Sequence, residues 1–303
     1  MKPVSTVVSL PSRRSRWFRT SRSRLARVAG LIGLASLSVV IARADDWDPN
    51  LTVHATWHDN ASNAESSADQ IDSLALGADI LSWQRYKIGP QDAVQLTGHF
   101  AGEWWPRYED LLSGAIGARA AWLHTFGTGK LAPIASAEIG GDLFELRESG
   151  RRGTSAALTL ALRKRFSDQW RGAVTQQFDR RYARADVFDQ AAAETTIELS
   201  YDFTDVARLT FNASYRDGDV LTYSGNPRGE VAAIASAQRE LDTFGRPMTA
   251  YSVDARTWGA KASIVRALDE SSAIIASYAW SSTEGKPVQF MNQRLSIAIV
   301  TQF

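Results

Sequence analysis

Along most of this chain, apolar and polar residues alternate with a period of two. Val94, Leu96, Gly98, Phe100, Gly102 and Trp104 alternate with Gln95, Thr97, His99, Ala101 and Glu103. Ala156, Leu158, Leu160 and Leu162 alternate with Thr159, Ala161, Arg163 and Arg165. Thr195, Ile197, Leu199, Tyr201 and Phe203 oppose Thr196, Glu198, Ser200 and Asp202, and Leu209, Phe211, Ala213 and Tyr215 oppose Thr210, Asn212 and Ser214. This period predicts β-strands with one apolar face. Two strands keep it imperfectly. Ser82 and Gln84 follow Leu76, Ala78 and Ile80 on what should be the apolar face, and Trp258 is out of parity with Tyr251 and Val253. β-Bulges would produce such slips. One segment has a different rhythm. Gly229–Gly245 is alanine-rich, with Val231, Ile234, Ala235 and Leu241 near helical spacing and Gly245 as a stop, which predicts a helix. Two placements are open for it: packed on neighbouring loops, or folded into a mouth as a constriction.

Turn-forming clusters punctuate the strands: Gly89-Pro90-Gln91-Asp92, Gly127-Thr128-Gly129-Lys130, Ser167-Asp168-Gln169, Thr204-Asp205-Val206-Ala207 and Asp269-Glu270-Ser271-Ser272. Between them run longer polar connections at 59–71, 106–114, 148–153, 183–192, 218–250 and 281–291. Five short turns and six long loops define twelve strands. Short connections at one end and long ones at the other are the asymmetry of an outer-membrane barrel, with the turns in the periplasm and the loops outside. An even strand number places both ends of the barrel domain in the periplasm.

The last eleven residues, QRLSIAIVTQF, set Leu295, Ile297, Ile299, Thr301 and Phe303 on one face and Arg294, Ser296, Ala298, Val300 and Gln302 on the other. This resembles the C-terminal signature of bacterial outer-membrane β-barrels, a last alternating strand ending in phenylalanine. The resemblance implies that the barrel-assembly machinery reads Leu295, Ile297, Ile299 and Phe303. At the other end, residues 1–44 hold nine Lys or Arg and no Asp or Glu, followed by the apolar run VAGLIGLASLSVVI and Ala42-Arg43-Ala44. A basic region, a short apolar region and an A-x-A site make a cleaved secretory signal, since about 14 apolar residues are too few to span a bilayer. Two regions follow: a signal peptide, 1–44, and an all-β antiparallel transmembrane barrel of twelve strands, 45–303, in the bacterial outer membrane.

Charge changes once the signal is set aside. The chain has 34 basic and 33 acidic residues, and only 25 of the basic ones lie beyond residue 44, so the barrel domain carries about −8. The apparent basicity belongs to targeting and argues against a nucleic-acid partner. There is no cysteine, hence no disulfide, thiolate metal site or cysteine nucleophile. Nothing beyond the signal approaches 18 consecutive apolar residues, which excludes a helical membrane protein. Of the ten tryptophans, nine lie beyond the signal, and Trp and Tyr favour membrane interfaces.

Candidate chemistry is sparse. His54 and His58 would bind one metal on a helix, but on a strand they stand about 13 Å apart. His58 and Asp59, as strand neighbours, point to opposite faces and form no dyad directly. No G-x-S-x-G, H-E-x-x-H or phosphate-binding loop is present. No cofactor, metal or catalytic residue is therefore assigned, and the expectation is a non-enzyme. The polar strand faces are richer: His99, Glu103, Arg119, Glu138, Asp142, Arg163, Arg165, Asp179, Arg181, Glu198 and Asp202, with Gln177 and Arg216, should face the lumen. Their mixed signs leave two readings open: a mutually neutralising structural network, or a charged eyelet that selects solutes. Arg180, facing outward near the loop end, is placed to meet lipopolysaccharide phosphates. The leading functional expectation is a monomeric channel for small hydrophilic solutes. The alternatives are a plugged structural or polymer-export barrel and, third, an outer-membrane hydrolase.

Overall fold

The computed structural model describes residues 47–303; the expected signal peptide, 1–44, lies outside the described residues. Thirteen strands follow one another: β1 (Asp48–His58), β2 (Ser73–Lys87), β3 (Asp92–Trp104), β4 (Ser113–Thr125), β5 (Ile134–Leu146), β6 (Gly153–Arg165), β7 (Trp170–Ala183), β8 (Gln190–Thr204), β9 (Ala207–Ser224), β10 (Ala237–Leu241), β11 (Met248–Ala267), β12 (Ser272–Gly285) and β13 (Val288–Gln302). Apart from β10, each pairs antiparallel with the strands before and after it in the ring, with β9 pairing to β11, and β1 closes the ring on β13 through pairs such as Leu51↔Thr301 and Trp57↔Leu295. The wall is a closed barrel of twelve strands. Closure gives every wall strand two partners and leaves no open edge, which is what hydrocarbon demands of a β-structure. β10 is additional to the ring and pairs only with the start of β11.

The connections separate by end. At one end they cover 88–91, 126–133, 166–169, 205–206 and 268–271; at the other they cover 59–72, 105–112, 147–152, 184–189, 225–247 and 286–287. The last is a correction to the long loop expected at 281–291. Thr283↔Phe290 and Gly285↔Val288 are paired, so β12 and β13 run on to a two-residue turn. Polar residues on both faces of 281–284 hid the strand.

The expected bulges in β2 and β11 are also corrected. β2 pairs with β1 and β3, and β11 with β9 and β12, without a register shift; the irregular step lies between β8 and β9 at Asp202/Thr204. In β2 the parity is regular and the residue types are not: Ser82 and Gln84 share the outer face with Ile80, and Tyr86 bonds to Gln84 there. In β11 the cause is a change of surroundings. Trp258 points outward, 61 % exposed, with its ring 4.6 Å from that of Tyr215, whereas Tyr251 is 1 % exposed.

That change marks where the strands leave the wall. β9 pairs with β8 as far as Gly218, and β11 with β12 only from Arg256 onward. Beyond those points β9 and β11 stay paired with each other, and β10 takes the edge of β11 that β12 has left. The resulting three-stranded sheet, β10-β11-β9, is covered on both faces. Tyr223, Met248 and Ala250 pack with Ile71, Ala75, Trp105, Val187 and Phe188; Tyr251 and Val253 pack with Val231, Val288 and Phe290. Ala75, Val288 and Phe290 have the inward parity of their strands, so the sheet is folded into the loop-side mouth of the barrel. Gly218 permits the departure. Its φ is +143°, and a Cβ there would meet the Ala191 carbonyl oxygen at 2.2 Å.

The helix expected over 229–245 is replaced by a single turn, Gly229–Ala232, followed by β10. Ser236 N donates to Ser252 O, and Ala237 to Leu241 pair with β11. An unpaired strand edge in a packed mouth needs partners, and this tertiary demand overrides the weak helical preference of an alanine-rich run.

Candidate functional site

The outer face of the wall is an apolar belt. Ile139 is 63 % exposed, Ile197 57 %, and Ile297 54 %. Aromatic side chains gather toward both rims. Trp170, Tyr201 and Phe203 form a chain of ring contacts of 4.7 and 5.0 Å near the short turns, and Trp57, Trp104 and Tyr182 stand exposed near the loops. An apolar belt between aromatic girdles on a closed barrel is a surface made for the bacterial outer membrane. Leu295, Ile297, Ile299 and Phe303 lie on this outer face beside the β1–β13 seam, and Phe303 N donates to Pro49 O at 3.1 Å. Arg180 also points outward, its guanidinium 5.1 Å from the ring centre of Tyr182.

The opposite parity faces the lumen, and its charges sort by height. In the half nearer the loops, His99 Nε2 lies 2.7 Å from Asp142 Oδ1, and Ser155 Oγ donates to the other carboxylate oxygen at 2.8 Å. These residues reach each other across β4 because Gly117 stands between them; a Cβ there would fall 2.1 Å from Asp142 Oδ1 and 2.4 Å from His99 Cε1. His54 makes a similar pair with Asp79 at 3.3 Å. Arg216 bridges Asp179 at 3.2 Å and Glu194 at 3.9 Å. Arg181 donates to the Arg151 carbonyl at 2.9 Å and covers the Phe144 ring, and Glu103 accepts from Trp105 Nε1 at 2.6 Å. At mid-height Arg119 lies 3.9 Å from Glu138, and Glu198 accepts from Ser200 at 3.4 Å.

The turn-side end is different. Asp202 meets three arginines there: Arg208 Nε at 2.7 Å, Arg171 in a direct hydrogen bond, and Arg165 at 4.0 Å. Arg163 is the next inward residue above Arg165 on β6. The mixed charges of the sequence therefore separate along the axis, with most carboxylates above and arginine in excess at the turn-side rim. Arg171 and Arg208 were not among the residues expected from sequence. Each sits at the first turn-side positions of its strand, where alternation has not begun, although Arg208 shares the parity of Thr210 and Asn212.

The two residues adjacent to the first outer loop remain apart in role. His58 lies against Trp105, ring centres 4.9 Å apart, and Asp59 accepts from Gln293 N at 2.7 Å. Among the described residues no three His, Asp or Glu side chains gather as a metal site.

At the mouth, the folded-in sheet is fastened to the loop at 59–72. Tyr223 N donates to Ser62 O at 3.1 Å, Asn63 Nδ2 to Leu221 O at 2.9 Å, and Thr222 Oγ1 to Asn63 O. Arg228 joins Glu65 and, at 2.7 Å, Glu230. The bonds to Tyr223 N and Leu221 O satisfy the edge that β9 exposes after leaving β8.

No family model matches the chain, and no curated protein matches it. Solved structures do. The COG4313 outer membrane channel from Pseudomonas putida F1 aligns with a TM-score of 0.58 at 8 % identity, over 85 % of this chain and 95 % of that one. The NanC porin aligns less closely, with a TM-score of 0.45 at 4 % identity, over 84 % of this chain and the whole of that one. The likeness is one of fold: this chain has the fold of an outer-membrane β-barrel.

Proposed function

We propose that this barrel is a gated channel for small hydrophilic solutes, held closed by the sheet folded into its mouth. The observation that carries this reading is a contrast in exposure. Charged side chains on the lumen face keep between 15 % (His99) and 44 % (Arg119) of their surface accessible, whereas Tyr251, Val253, Val288 and Phe290 at the mouth are all under 5 %. The closure is thus local, and the lumen behind it is wet and polar, as solute passage requires. The same reading has the chain exported with residues 1–44 removed, assembled through its C-terminal strand and acting as a monomer, with Arg180 meeting lipopolysaccharide phosphates. It assigns no catalytic role.

Single-channel recording of the refolded barrel in a planar bilayer tests this. The intact protein should show long closures broken by ohmic openings. A variant in which a two-residue Asn-Gly turn joins Gly218 directly to Ala255 should stay open. Silence from both, with the barrel folded, would overturn the channel and leave a barrel of structural or export-linked role.

A further inference from the structure

We propose that the turn-side rim of the lumen, where Arg165, Arg171 and Arg208 converge on Asp202, is a binding station for small oxyanions, so that the solutes passed are carboxylates or phosphate-like anions. As a statement about passage it rests on the channel reading; as a binding site it does not. Four adjacent strands supply the cluster: Arg165 from β6, Arg171 from β7, Asp202 from β8 and Arg208 from β9, all with inward parity. A guanidinium carries five N–H donors and a carboxylate about four acceptor positions, so three arginines bring far more donors than Asp202 can accept. Both oxygens of Asp202 are already engaged. The side chains of Arg165, Arg171 and Arg208 nevertheless stay 37, 33 and 42 % exposed, so donors beyond those Asp202 takes remain open to solvent. The cluster therefore holds positive charge and unspent donors in the planar fork that suits carboxylate and phosphate.

Asp168, on the turn after β6, also feels Arg165 but is itself hydrogen-bonded to Lys130, and that pair leaves the excess uncancelled. Glu198 is the next inward carboxylate on β8 and stands about 13 Å up the strand; Glu138 is engaged with Arg119. Arg163 adds a further charge above the cluster. Walls of low dielectric constant focus such a field along the lumen. Asp202 acts as a positioning residue: it gathers the guanidinium groups and competes weakly with the passing anion, which allows release as well as capture.

The test uses the full refolded barrel in detergent, titrated calorimetrically with citrate and separately with inorganic phosphate, together with reversal potentials in a potassium chloride gradient. Citrate should bind, and Arg165→Gln with Arg171→Gln should weaken it by about tenfold or more while moving the reversal potential toward cation preference. Binding of both anions would place the specificity at the oxyanion; binding of citrate alone would place it at the carboxylate. If the double variant does not fold, Asp202→Asn decides. Removing the competitor should keep or tighten citrate binding, whereas a merely structural cluster would loosen and lose it. No citrate or phosphate binding, or binding indifferent to these substitutions, overturns the site. A barrel that binds citrate through these arginines yet never conducts would retain the site and sink the channel; one that conducts with no dependence on them would do the reverse.

Discussion

The wall and the mouth sheet are built from the same strands and solve the problem of apolar surface in opposite ways. In the wall, one face of each strand gives its apolar residues to lipid and the other gives polar residues to water, so alternation is clean. In the mouth sheet both faces are buried in protein, and Met248, Ala250, Tyr251, Val253 and Ala255 are all sealed. A strand covered on both sides has no reason to alternate. The same two strands, β9 and β11, thus pass from one regime to the other within a few residues of Gly218 and Arg256. The lesson is that a break in parity marks a change in what surrounds a strand, even where its register runs on undisturbed.

Substitutions can break or sharpen this contrast. The largest effect should follow Phe290→Ala, which empties the cluster around Tyr251 and Val253. Truncating a buried phenylalanine costs about 3–5 kcal/mol, here borne by the docked sheet, so open probability and proteolysis within 225–247 should rise sharply. The unfolding midpoint of the wall should stay put; a matching fall there would mean that mouth and wall are one cooperative unit. The converse substitution is Ile297→Arg on the lipid face. It should cost the wall about 2–4 kcal/mol in equilibrium unfolding from vesicles, without altering gating.

A smaller effect is expected at the hinge. Gly218→Val places a side chain where φ is +143° and the Ala191 carbonyl stands in the way, a strain of about 1–3 kcal/mol confined to the folded-in arrangement. Channel openings should lengthen; unchanged dwell times would show that the sheet departs from β8 by another route.

The smallest effect concerns pH. The Glu230 carboxyl is held below its ordinary value of 4.5, first by the hydrogen bond from Arg228 and then by a backbone N–H. Arg228 is raised in turn, chiefly by its bond to Glu65. A depressed carboxyl contributes its full stabilisation above the ordinary value and loses it as pH falls through the depressed one. The Arg228–Glu230 pair at the start of the Gly229–Ala232 turn should therefore loosen only below about pH 4.5. High salt should shrink the effect because these groups are exposed. Arg228→Gln should abolish the pH dependence, measured as open probability between pH 6 and 3.

Much of the wall was legible in residue alternation. β3, β6, β8 and β9 carry their parity openly because one side of each meets lipid. The mouth was not, for a physical reason: its apolar residues are paid for by contacts between distant loops, and no local period records those. The Gly229–Gly245 stretch is the clearest case, since its helical spacing was real but the free edge of β11 decided its structure. In the lumen, parity pointed Glu138, Arg163 and Asp202 inward but said nothing of height. The sorting of charge along the axis emerges only once the register between strands is known, as does the convergence of Arg171 and Arg208 on Asp202.

The seam between β1 and β13 has a consequence for how such a chain acquires its shape. Leu51 and Thr301 are partners although 250 positions separate them. Every other wall pairing joins strands close in sequence, so hairpins can form early and locally, but the ring is completed by the most distant contact in the molecule. Until that contact forms, the sheet carries two raw edges, both able to accept a foreign strand. The time between the first hairpin and the closing of the seam is the interval in which this protein is most exposed to aggregation, and in which a holding partner at either edge would matter most.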